Sequence, residues 1–260
     1  SKTLVFTGTK YHAQMLSMTL RDLGMDARHV FGAMDEGARR ETVDLFRKGR
    51  FDVLVATDVA ARGVDLPLLD CVIHYDFPSE PRLMIHRSGR VARAGRPGTA
   101  YAFVCEEEVA FLLDTLLFLP RKLKLSLEPN ETYSDHDTIV ATIPSQVLSI
   151  DRVKNAMTRI NGDGIVECAE RAYSKYFKSC PKPSRHSQER AQSLPYDLEP
   201  HPLLEVRGYL NSTKEFKNNR EAIMSMVGED TRLIPMEVVQ DFEDAHRRFE
   251  EKEERSKFVR

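Results

Sequence analysis

Residues 86–96 read HRSGRVARAGR, a run suited to holding phosphate. Arg87, Arg90, Arg93 and Arg96 recur at a strict three-residue step, with Gly89 and Gly95 between them. Guanidinium is planar, always charged and matched to phosphate oxygens in bidentate fashion. A three-residue step drifts slowly round a helix, so neighbouring groups point toward one region of space. Glycine lets a ligand or backbone come close. Taken alone, the same pattern also describes a solvated basic helix face.

A second chemically equipped stretch is TDVAARGVD at 57–65. It combines the Thr57 hydroxyl, the Asp58 and Asp65 carboxylates, the Arg62 charge and Gly63 for a tight approach. That set suits phosphates and sugar hydroxyls. The bland alternative makes Asp58 and Asp65 turn or capping residues.

These stretches need a frame. Residues 3–8, 27–31, 52–57, 71–75 and 99–104 are short β-rich apolar runs and read as strands. Helices are expected between them. The first spans about 10–23 and stops at Gly24. The second is N-capped by Asp35, reaches Lys48 and stops at Gly49. A third, over about 80–92, carries the arginines, and a strongly apolar one covers 106–118. Strands alternating with helices imply an α/β fold, a parallel sheet with helices on both faces. Ligands of such folds bind outside the carboxyl ends of the strands.

The rest of the chain has another character. Residues 120–144 are polar, punctuated by Pro120, Pro129 and Pro144, and read as a surface connection. A moderate helical pattern over 145–160 is broken by NGDG at 161–164. A firmer helix follows over 165–179, with Ile165, Cys168, Ala172 and Tyr176 on one face, then a short helix ending near Ser193. Residues 236–258 read as a long charged helix with Val239, Phe242 and Phe249 on one side. Lys175, Lys178, Lys182 and Arg185, interleaved with Tyr173, Tyr176 and Phe177, suit single-stranded RNA or form a solvated helix end.

Composition bounds the function classes. The 260 residues are 41% hydrophobic and 30% charged, with a net charge of −2, so any phosphate contacts come from local clusters. Cys71, Cys105, Cys168 and Cys180 have no metal-like spacing, and no metal site is expected. There is no signal-peptide pattern and no apolar run long enough to span a bilayer. The chain opens directly on a strand-like run, as a piece of a longer protein would.

The HRSGRVARAG stretch resembles the last motif of superfamily-2 helicases, the DEAD-box RNA helicases in particular, with Val91 and Ala92 where Thr-Gly is usual. Three further stretches resemble that family in order. Residues 3–10 resemble LVFxxT, with Thr9 at the threonine. Residues 32–46 resemble GxxxQxxRxxxxxxF through Gly32, Arg39 and Phe46, with Glu36 in place of glutamine. Residues 57–65 resemble TDxxARGxD. The resemblance implies a RecA-like second lobe in which Arg90 and Arg93 reach the γ-phosphate of ATP and Asp65 meets its ribose. It also implies that Thr9, Gly32, Arg39, Thr57, Asp58, Arg62 and Gly63 line half of an RNA groove. Glu36 is expected to pair with a nearby arginine instead. Neither GxxxxGK[ST] nor a DEAD-like acidic quartet occurs. The resemblance therefore implies that ATP and Mg are held mainly by a first lobe in the parent protein, and that this chain alone is inactive.

RAYSKYFKSCPKPS, LEPHPLL and DTLLFLPRKL resemble the segment after the core of nucleolar DEAD-box helicases of large ribosomal subunit assembly. That implies a nuclear, nucleolar protein with pre-ribosomal RNA and pre-ribosomal proteins as partners, and no membrane. The expected domains are a helicase lobe over 1–128 and a mostly helical extension over 129–260. Two rivals stand beside this reading: a non-catalytic module of a pre-ribosomal particle, and a DNA-acting superfamily-2 enzyme.

Overall fold

The computed structural model describes residues 2–61, 66–91, 98–119, 121–125, 137–143, 150–194, 198 and 200–201. The chain begins with β1 (Thr3–Thr7), α1 (Lys10–Asp22), β2 (Ala27–Val30), α2 (Glu36–Arg47) and β3 (Val53–Thr57). It continues through α3 (Asp58–Ala61), β4 (Cys71–His74), α4 (Pro81–Ser88) and β5 (Thr99–Ala102). The five strands form one parallel sheet in the order β2-β3-β1-β4-β5. The expected RecA-like α/β architecture is therefore present.

β1 and β3 are buried along their whole length, as apolar runs covered on both faces must be. Leu4 and Phe6 of β1 point to one face, where they join Phe46 of α2, Phe51, Leu54 and Val72 in the core. The helix boundaries follow local chemistry. Thr9 and Asp35 cap α1 and α2, accepting hydrogen bonds from the backbone N–H groups of His12 and Gly37. Gly24 (φ 95°) and Gly49 (φ 69°) end the same helices in the left-handed conformation that side chains disfavour.

α4 departs from expectation. The arginine stretch was expected on one helix over 80–92, but α4 ends at Ser88. The Gly89 N–H closes the last turn on the Ile85 carbonyl at 2.7 Å, and a Cβ on Gly89 would stand 2.9 Å from that oxygen. Val91 then runs beside Leu69 as an isolated parallel bridge. Arg87 therefore lies on the helix and Arg90 beyond it.

Downstream come α5 (Val109–Phe118), β6 (Lys122–Lys124), β7 (Asp137–Ile139), α6 (Ile150–Ile160), α7 (Ile165–Ser179) and α8 (Arg185–Gln192). β6 and β7 pair in parallel within the stretch that read as a surface connection. The expected charged helix at 236–258 lies outside the described residues.

The chain divides into two compact units, and residue 128 is not where they divide. The first contains Ser1–Val104 together with Arg152–Ser184, and the second contains Cys105–Asp151 and the chain from Arg185. In the first unit, Met15 of α1 packs with Ile165 and Ala169 of α7, and Tyr11, Met157 and Ile160 join them. Arg152 donates to the Leu23 carbonyl at 3.1 Å, and Arg159 pairs with Asp22 at the end of α1. In the second unit, Ala110 and Leu113 of α5 pack on Ala191 of α8.

Candidate nucleic-acid interface

Apart from Arg90, the expected site residues that are described gather at the carboxyl ends of the strands or on the helices that follow. Thr9 sits after β1, half-buried, with its hydroxyl oxygen 3.1 Å from the His12 N–H. Gly32 is exposed after β2, and a Cβ there would stand 2.8 Å from Cγ1 of Val59 on α3. Arg39 is half-buried on α2. On the same helix Glu36 pairs with Arg40, both exposed, so the carboxylate at this departure from the family pattern has the arginine partner expected for it. Thr57 closes β3, buried and in register with Thr7 of β1.

Asp58 and Arg87 are the strongest pair in this edge. Arg87 Nε donates to Asp58 Oδ1 at 2.8 Å and Nη2 to Oδ2 at 2.7 Å, a fork-on-fork contact. Nη1 donates to the Asp76 carbonyl at 2.8 Å, and the guanidinium lies 5.2 Å above the Phe6 ring. Burial by itself would lower the Arg87 pKa, but the hydrogen bonds and charge of Asp58 outweigh it and hold it above its ordinary value. Arg87 is 1% exposed, so this member of the arginine ladder faces the interior rather than a phosphate. Asp58, expected on RNA, has both carboxylate oxygens engaged by that arginine.

Arg90 is different. It is half-buried beyond the end of α4, and among the described residues its guanidinium has no partner. A half-buried guanidinium without a partner among the described residues is chemically suited to an anionic ligand. Arg62, Gly63, Asp65 and Arg93, together with Arg96, lie outside the described residues. Among the described residues no group of three or more His, Cys, Asp or Glu side chains is placed to hold a metal ion, so these residues do not fit a magnesium seat.

Three residues the sequence reading passed over hold the edge together. Asp76, buried just past β4, accepts from the Gly8 N–H at 2.6 Å and lies 3.0 Å from His12 Nδ1, both through Oδ2. His12 is itself fully buried, with its ring 5.1 Å from that of Tyr173 in a stacked arrangement. His74 Nε2 lies 3.0 Å from the Ser88 hydroxyl, tying β4 to the end of α4. Burial, reinforced by the Arg87 charge, pushes the His74 pKa down to about 3. The available signal for Asp76 was an acid standing directly after the apolar run CVIHY.

α7 also differs from expectation. Tyr173 is buried against His12, Tyr176 is half-buried against Gly8, and Phe177 packs near Tyr173 with ring centroids 6.0 Å apart. These aromatics pack in the sheet unit instead of standing free as a stacking platform. Lys175, Lys178 and Lys182 are exposed.

Residues 1–95 match the helicase conserved C-terminal domain. The chain is 39% identical over 210 residues to the ATP-dependent RNA helicase DDX54 of Mus musculus, covering 78% of this chain and 24% of that protein. It is 40% identical over 197 residues to the ATP-dependent RNA helicase dbp10 of Emericella nidulans, covering 74% and 21%. With the rice DEAD-box ATP-dependent RNA helicase 29 it shares 37% over 213 residues, covering 75% and 25%. The chain thus spans about a quarter of the length of these relatives. Among solved structures, the E. coli DEAD-box protein SrmB, bound to regulator of ribonuclease activity A, is 36% identical, with a TM-score of 0.44 over 45% of this chain and 69% of that one.

Proposed function

The chain belongs to the DEAD-box RNA helicases, and on that premise we propose that it supplies the arginines and half of the RNA groove of an ATP-driven RNA-remodelling enzyme. The observation that carries this reading is the contrast between Arg87 and Arg90. Arg87 is spent on Asp58, which locks α3 to α4. Arg90 stands just past that lock with no partner among the described residues. Arg90, and with it Arg93, is proposed to meet the γ-phosphate as charge builds on the transferring group. Asp65 is proposed to meet the ribose.

Thr9, Gly32, Arg39, Thr57, Arg62 and Gly63 are proposed to face the RNA backbone, with Asp58 acting through its grip on Arg87. ATP binding to the first lobe would bring the two lobes together. The closed groove would hold one strand in a shape a duplex cannot keep. This chain's residues offer no magnesium seat among those described, so the metal bound with ATP is assigned to the other lobe and no step is routed through it here.

A role in large ribosomal subunit assembly, with pre-ribosomal RNA as substrate and a nucleolar location, is the finer part of the proposal. It is supported by the tail's resemblance and by the extent of the DDX54 match. That match covers 210 residues, whereas the domain match covers residues 1–95.

The test is ATP hydrolysis by the two-lobe parent protein, titrated with single-stranded RNA and with DNA of the same sequence. Stimulation by RNA far above that by DNA is expected, because a groove that reads 2′-hydroxyls discriminates them. Equal stimulation would transfer the chain to the DNA-acting reading. No ATP hydrolysis under any condition would favour a non-catalytic module.

A further inference from the structure

The loop after β1 is braced from two sides, and one of the braces comes from α7. On one side the Gly8 N–H donates to Asp76 Oδ2 at 2.6 Å. On the other side lies Tyr176. A Cβ built on Gly8 would stand 2.5, 2.8 and 2.9 Å from three atoms of that ring, so the ring occupies the space any side chain at position 8 would need. One helical turn earlier, Tyr173 stacks on His12, whose Nδ1 shares the same Asp76 oxygen. Beneath both, Ile165 and Ala169 pack on Met15.

Glycine has the most backbone freedom to lose, and a loop pinned in advance spends less on ordering when a ligand arrives. Thr9 follows Gly8 directly and caps α1, so whatever fixes Gly8 also fixes Thr9.

We propose that Tyr176 is a positioning residue: seated on the Gly8 backbone, it holds the β1–α1 loop in the conformation in which Thr9 meets the RNA phosphate backbone. This inference rests on the RNA-groove reading above and adds α7 to the machinery of the lobe. α7 acts by shaping the groove from behind. It is the ring that fills the space over Gly8, while the hydroxyl is engaged by Cys180, so the inference turns on the ring.

The experiment uses the two-lobe parent protein and measures ATP turnover against the concentration of a single-stranded RNA, with thermal melts alongside. Tyr176→Ala should raise the half-saturating RNA concentration on the order of tenfold, the equivalent of about 1.4 kcal/mol, while turnover at saturating RNA changes far less. Tyr176→Phe should bind RNA like wild type. Gly8→Ala should weaken RNA binding as well, because its Cβ displaces the ring. The double variant should be no worse than Tyr176→Ala, since the ring that clashed is gone.

A folded Tyr176→Ala protein with wild-type RNA dependence overturns the inference, as does a strictly additive double variant. If Tyr176→Ala does not fold, a Gly8→Ala protein that folds and keeps wild-type RNA dependence overturns it just as directly. A wild-type protein whose turnover ignores RNA would instead remove the groove reading itself, and that outcome is visible before any variant is made.

Discussion

Arg87 and Asp58, far apart in sequence, meet through two parallel hydrogen bonds of 2.8 and 2.7 Å while Arg87 is 1% exposed. Removing one partner of a buried, hydrogen-bonded ion pair leaves the other charge uncompensated, at a cost of roughly 3–5 kcal/mol. Asp58 is partly open to water, so Asp58→Asn should sit at or below the low end of that range and Arg87→Met, which also abandons the Asp76 carbonyl, near the top. Arg87→Lys should rescue little, because a single ammonium lacks the fork. Urea denaturation of the three variants checks the order; equal stability of Arg87→Lys and wild type would refute it.

Arg93 is proposed above as the second guanidinium to meet the γ-phosphate. In the two-lobe protein, Arg93→Ala should slow RNA-stimulated hydrolysis by roughly 10³-fold or more while nucleotide binding survives. Arg90→Ala should behave alike, and Arg93→Lys should recover little of the loss. Arg96, one step past the matched pair, should tolerate substitution better. Single-turnover hydrolysis with melts alongside decides it, and wild-type turnover in a folded Arg93→Ala protein would assign the stretch to structure.

His74 gives the fold an acid-sensitive element. Its folded pKa of about 3 lies below the unfolded value of 6.5, so the unfolded chain takes up a proton first as pH falls. The stabilising contribution is complete above about pH 6.5 and drains away at up to about 1.4 kcal/mol per pH unit on the way down to pH 3. Melting midpoints between pH 7 and pH 4.5 should fall with this slope and flatten in His74→Gln, which retains an amide donor for Ser88. An unchanged slope in that variant would show that carboxylates dominate.

The docked face of α7 should be intolerant of charge. Ala169→Asp places a carboxylate at a fully buried position against Met15 and should cost at least about 3 kcal/mol; Glu170→Gln, one residue on and exposed, should cost almost nothing. Thermal melts distinguish them, and near-identical midpoints would mean α7 is not seated on the sheet unit. By the same argument, truncation near residue 128 should damage the lobe itself as well as any binding function of the tail.

Much of the frame was legible because it is governed locally. Asp35 and Gly49 announced both ends of α2, and the helix expected over 165–179 forms as α7 over those residues. The loops after β1, β2 and β3 followed from motif order. What escaped was set by tertiary context. A three-residue arginine step says nothing about which guanidinium turns inward; that depended on Asp58 being within reach of Arg87 and on Gly89 ending the helix early. The cluster holding Tyr173, Tyr176 and Phe177 read as an RNA platform or as a solvated helix end, and the proximity of His12 and Gly8 makes these aromatics packing instead. The buried Asp76 was invisible as a hub because Gly8 and His12, which its carboxylate meets, lie 68 and 64 positions away in the chain.

The strand order has a further consequence, for how the lobe is made. β1 is the middle strand, yet it precedes all its neighbours in sequence: Thr3 must wait for Val53 on one side and Cys71 on the other. During synthesis a strand buried along its whole length is therefore the earliest of the sheet to emerge and the longest without hydrogen-bonding partners. The helix that covers α1 arrives later still. Parallel pairing at such separations closes slowly and leaves sticky intermediates, so this lobe is a natural client for chaperones on the way to its native state.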